Sequence, residues 1–77
     1  MKNGSVVRSL SGHDKGVCYI VLEVTAGYAL LCDGKNKLLS CPKKKNCKHL
    51  EPLGKEIELS KYNPLYDAHI RKELKGL

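Results

Sequence analysis

The sequence predicts a mainly β fold: a small closed barrel of four to five strands followed by a C-terminal α-helix. Three observations carry this. With 77 residues the chain is limited to one compact core, since chains of about this size bury only roughly 60% of their unfolded surface. Residues 5–53 break into four or five short strand-like runs, the densest in β-branched and aromatic side chains over 17–25, separated by tight turns. Residues 63–76 open on Asn-Pro and close on Gly, the punctuation of a helix.

Taken in order, residues 5–10 alternate as a short strand, with Val6, Arg8 and Leu10 on one face. Residues 11–16, Ser-Gly-His-Asp-Lys-Gly, form a polar loop. Val17 to Thr25 is the densest β-forming run, with Cys18, Ile20, Leu22 and Val24 as its core face and a half-covered face opposite. Ala26-Gly27 turns the chain into a strand over 28–32. Asp33-Gly34 is a hairpin signal, predicting a return strand over 36–41 that Pro42 ends. Residues 43–46 then read as a basic loop and 47–53 as a last strand. For the helix over 64–75, Asn63 is the predicted N-cap, and Leu65, Ala68 and Leu74 form a thin apolar stripe. The expected organisation is a barrel over 1–53, with a linker and helix over 54–77 packed on or beside it as one domain.

Charge is the second signal. The chain carries 14 Lys+Arg against 8 Asp+Glu, a net charge of +6. Residues 1–34 and 49–77 are each balanced. The whole excess lies in 35–48, where Lys35, Lys37, Lys43, Lys44, Lys45 and Lys48 occur with no acid among them. A lysine run often serves only solubility, but a local excess between two neutral flanks favours a polyanionic partner. No run approaches the roughly 20 apolar residues of a membrane span. Met1-Lys2-Asn3-Gly4-Ser5 has no apolar segment behind its charge, so a secretory signal is not expected and a cytoplasmic location is.

The stretch Val6-Val7-Arg8-Ser9-Leu10-Ser11-Gly12-His13-Asp14-Lys15-Gly16, followed by a hydrophobic strand, resembles the KOW motif, a glycine-bearing loop between the first two strands of an SH3-like barrel. Together with Asp33-Gly34-Lys35, Pro42-Lys43-Lys44-Lys45 and Lys48-His49-Leu50, it resembles KOW-domain RNA-binding proteins similar to the archaeal and eukaryotic large-subunit ribosomal protein L-fourteen-e. The resemblance covers residues 4–53. It implies an SH3-like barrel, RNA binding, ribosomal RNA as partner and an association with ribosomal or transcription proteins.

The candidate RNA-binding residues are Arg8, Lys15, Lys35, Lys37, Lys43, Lys44, Lys45, Lys48 and His49, with Gly12 and Gly16 shaping the loop. Lysine ammonium groups neutralise phosphates and release counterions. Base reading by bidentate arginine is not expected, because Arg8 and Arg71 both lie outside the lysine segment. With no Phe or Trp, stacking rests on four tyrosines that suit a core as well as a platform. Structured RNA, held by shape and backbone, is the expected ligand.

Other readings stay open. The same lysines suit an acidic protein partner of an SH3-like interaction module, although a groove for Pro-rich ligands lacks aromatic residues. Cys32, Cys41, Cys47 and His49 offer four zinc ligands, but without a C-x2-C knuckle, and no cofactor is expected. P-loop, Rossmann and zincin signatures are missing, and Cys47 and His49 lack a third orienting group, so an enzyme is not expected.

Overall fold

The computed structural model describes residues 1–77. Strands β1 (Ser5–Ser9), β2 (Cys18–Thr25), β3 (Tyr28–Cys32), β4 (Lys43–Asn46) and β5 (Leu50–Glu56) make one antiparallel sheet in the order β4-β3-β2-β1-β5. Helix α1 (Asp67–Lys75) ends the fold. This is the mainly β architecture with a C-terminal helix that the sequence predicts.

The two outermost strands, β4 and β5, are joined by only three residues, Cys47–His49, wound into a 3-10 turn. In a flat sheet of five strands the edges would stand roughly 19 Å apart. Four Cα steps from Asn46 to Leu50 reach about 14 Å at most. The sheet therefore curls strongly on itself. Its seam is not closed: no ladder joins β4 to β5, so the barrel expected as closed is open along that line.

Curling gives the sheet two apolar faces. Val7, Tyr19, Val21, Ala29, Leu31 and Leu50 pack together on the enclosed side. Val6, Ile20, Cys32 and Ile57 pack on the other side, where Ile70 of α1 covers them. The core face expected for β2 is thus corrected: Tyr19 and Val21 are as buried as Ile20, while Cys18, Leu22 and Val24 are half-buried. A bulge explains the mixture. The register of β2 against β3 shifts between Val21 and Glu23, so Leu22 stays on the helix side while Val24 joins the enclosed side.

Two further expectations change. Residues 36–41 form no strand beyond an isolated Leu38–Cys41 bridge. The Asp33 carboxylate accepts the backbone N–H groups of Lys35, Asn36 and Lys37 at 2.9, 3.0 and 2.9 Å, curling the segment and satisfying donors that a ladder would otherwise need. The fourth strand falls instead on the lysine run, β4, where the sequence predicts a loop. In α1, the first helical residue is Asp67 rather than Pro64, and the Asn63–Pro64 peptide is cis. Tyr66 sets the start: its N–H donates to His69 Nδ1 (3.0 Å) and its carbonyl accepts the His69 N–H (2.9 Å). Ile70, absent from the predicted apolar stripe, is the one fully buried helix residue, and Ala68 lies on the exposed side.

Candidate nucleic-acid interface

Strand register gathers the candidate residues. Arg8 pairs with Cys18, Ile20 with Cys32, Leu31 with Lys43 and Ser9 with Leu50. One end of the sheet therefore holds the end of β1, the start of β2, the end of β3 and the starts of β4 and β5. The loops over 10–17 and 33–42 emerge there, carrying Lys15, Lys35 and Lys37. His49 reaches the same end, its carbonyl accepting the Leu10 N–H at 2.8 Å, whereas the turn before it starts at the far end, where the Cys47 N–H donates to the Gly27 carbonyl at 2.9 Å, and exposed Lys48 lies between the two. Gly12 and Gly16 take φ of +83° and +89°, which bends the first loop back on itself. Gly16 N–H donates to the Ser9 carbonyl at 2.8 Å and fixes the bend.

Asp14 ties that loop to the lysine run. Ser9 Oγ donates to its Oδ1 at 2.8 Å and the Tyr19 hydroxyl to its Oδ2 at 2.9 Å. Lys45 Nζ donates to Oδ1 at 3.1 Å and to the Ser11 carbonyl at 3.0 Å, and Lys43 Nζ lies 3.3 Å from Oδ2. Burial opposes the Asp14 charge, but the bonds from Ser9, Tyr19, Lys45 and Lys43 together outweigh it and hold the carboxyl well below the usual carboxylate range. Tyr19 shifts the other way: burial first, then Asp14, pushes its hydroxyl above the usual phenol range.

This geometry sorts the lysine run. Lys43 and Lys45 pair with Leu31 and Ala29, so they face the enclosed side, and their side chains are only 29% and 12% exposed. Lys44 points outward, with its ammonium 4.8 Å from the centre of the Tyr28 ring. Inward-pointing charge and lysine on an edge strand also block edge-to-edge pairing, a structural role alongside any binding. Arg8 is exposed but held by an ion pair to Glu51 on β5. Lys15, Lys35, Lys37 and Lys48 have no side-chain bond or acid partner.

The cysteine and histidine ligands do not converge. Cys32 lies on the helix-covered face and Cys47 packs against the enclosed one, while Cys41 is exposed. Cys47 and His49 sit on a 3-10 turn rather than at alternate strand positions. No three His, Cys, Asp or Glu side chains come together as a metal site. Burial, with Asp67 and Asp33 adding to it, pushes the Cys32 thiol up to about 12, so it stays protonated.

Segment-by-segment charge counting misses one feature. Helix α1 docks on the second loop at Gly34, whose backbone has φ of +77° and approaches so closely that a Cβ there would lie 2.6 Å from the Asp67 carbonyl. Arg71 Nη1 donates to the Gly34 carbonyl at 2.6 Å. An open cleft of about 780 Å³ runs between the helix and the start of β2, and Lys35, Arg71, Lys72 and Lys75 line it. The sequence signal is the helical spacing of 68, 71, 72 and 75, which puts all four residues on one face.

No protein-family model and no curated protein matches this chain.

Proposed function

We propose that this protein is a non-catalytic RNA-binding protein, associated with the ribosome, that grips the backbone of structured RNA with the loop end of its sheet. One observation carries the reading: Lys15, Lys35, Lys37 and Lys43 gather at that end, with Lys48 flanking it, and both nearby acids are already engaged. Asp14 is shared between two lysines, and Asp33 is bonded to three backbone N–H groups. The result is a cationic surface anchored by a rigid network, suited to phosphates.

Backbone recognition follows from the chemistry of the surface. Its free cations are lysines, point charges that attract phosphate without selecting a base. Tyr19 is buried, and Tyr28, though exposed, starts β3 at the opposite end of the sheet, so neither offers a stacking face at the loop end. Ribosomal RNA is the partner favoured by the KOW resemblance, with ribosomal or transcription proteins alongside. A cytoplasmic location belongs to the same proposal, and the four unpaired cysteines suit a reducing compartment.

The test is a salt series with a labelled RNA hairpin, comparing the native chain with a K15Q/K37Q/K48Q variant. None of these three side chains makes a hydrogen bond or an ion pair in the fold, so the thermal melting curve should barely move. Affinity should fall, and the slope of log K against log salt should flatten by about 0.9 for each phosphate that is no longer neutralised. An unchanged slope would refute the loop end as the binding surface.

A further inference from the structure

We infer that the cleft between α1 and the start of β2 is a second phosphate-binding surface, which takes the sugar-phosphate backbone of the same RNA. The inference rests on the RNA-binding reading above and extends it to Arg71, Lys72 and Lys75, residues of a segment whose formal charge is zero.

That zero is an artefact of counting along the chain. No acid of residues 49–77 lines the cleft, and each is bonded to another group. Glu51 pairs with Arg8, Glu56 with Lys2, and Glu73 with Lys61 and the Tyr62 hydroxyl. Glu58 accepts from Ser60, and Asp67 accepts the Leu39 N–H at 2.8 Å. The bases separate in the opposite sense. Arg71, Lys72 and Lys75 share one face of α1 and have no acid partner, and docking at Gly34 brings Lys35 to join them. Asp33 is the one acid lining the cleft, and its Oδ1 already accepts three backbone N–H groups.

Shape and chemistry select a chain of phosphates over a single anion. From Ala68 to Lys75 the stripe runs about 10 Å along the helix, longer than one phosphate group. The small Ala68 side chain keeps that wall low, and Val17 and Cys18 form an apolar wall opposite, suited to the edge of a sugar. Arg71 gives one N–H to Gly34, leaving the rest of its guanidinium fork for a phosphate. The surface is also continuous with the loop end, since Val17 follows directly on the Lys15–Gly16 bend and Lys35 belongs to both.

A K72Q/K75Q variant tests this. Both lysines are exposed and unpartnered, so the fold should persist. On the same labelled hairpin, affinity near physiological salt should drop roughly tenfold, with a salt slope shallower by about 1.8. A K2Q/K61Q variant removes the same formal charge from acid-paired positions and should leave both quantities nearly unchanged. If K72Q/K75Q binds as the native chain does while K15Q/K37Q/K48Q is impaired, the cleft is refuted and the loop end stands. If only K72Q/K75Q is impaired, the cleft stands and the loop end fails. Equal losses in K2Q/K61Q and K72Q/K75Q would mean net charge alone acts, and the cleft assignment falls. Displacement of the hairpin by polyglutamate as readily as by unlabelled RNA would overturn RNA as the occupant.

Discussion

Asp14 shows how much one side chain can hold. Its carboxylate takes bonds from β1, β2 and β4 and so fixes the glycine loop against the lysine run. Asp14→Asn keeps the shape but leaves two half-buried ammonium groups without a counter-charge. We expect a loss of about 2 kcal/mol, read by urea denaturation. The sign with pH follows from linkage. The folded Asp14 titrates below its unfolded value of 3.8, so its contribution is complete above about pH 4 and is lost as acid is added. The native chain should therefore weaken steeply below pH 4, and the Asn variant less steeply. If the two acid profiles run parallel, Asp14 does not carry this stability. None of this is legible in the sequence, where Asp14 is one polar residue in a loop. Its partners lie five residues away or on a strand that the sequence does not predict.

At the scale of elements, strands β1 to β3 are legible because their apolar runs, β-branched in β1 and β2, end in glycine-bearing turns, while β4 is not. Three successive lysines carry little β propensity, and their strand exists because it sits on an edge, with two side chains reaching an acid. The helix is announced by its flanking residues, but its buried face is not. Leu65 lies before α1, and Ile70 alone is driven fully into the core. Ile70→Ala should cost about 3 kcal/mol through the cavity left against Val6, Ile20, Cys32 and Ile57. Gly34→Ala should loosen the same docking, since its Cβ would meet the Asp67 carbonyl and the Arg71 Cγ. Thiol labelling followed by mass spectrometry reads both. In the native chain Cys41 should react first and Cys32 last. In either variant Cys32 should react faster while Cys41 keeps its rate. A Cys32 that stays equally protected in both would mean that the helix does not guard that face.

For the whole molecule, charge is the quantity that changes meaning on folding. The sequence locates an acid-free segment correctly, yet Lys43 and Lys45 of that segment are ion-paired, and three free cations of a neutral segment stand beside Lys35. Pairing between distant residues is invisible to counting, because Arg8 finds Glu51 and Lys2 finds Glu56 only when β5 lies along β1. If the free lysines of both surfaces, Lys15, Lys35, Lys37, Lys48, Lys72 and Lys75, are the ones that meet phosphate, the native chain should show a salt slope near roughly −5 on duplex RNA. A slope near roughly −3.6 would mean that Lys15, Lys35, Lys37 and Lys48 engage without the helix, and one near roughly −1.8 that only Lys72 and Lys75 do.

The strand order also sets how the molecule is made. As the chain is synthesised, β1 to β4 emerge as a meander, each strand able to pair with the one before it. The outer edge of β1 waits for β5, more than half the chain later, and the face bearing Val6 and Ile20 waits for Ile70. A nascent chain that has reached only Asn46 has one edge guarded by lysines and the other bare, beside an uncovered apolar face. Truncations that remove β5 and α1 should therefore precipitate rather than yield a smaller working unit, and any affinity tag is better tolerated at the N-terminus than inserted between Asn46 and Ile70.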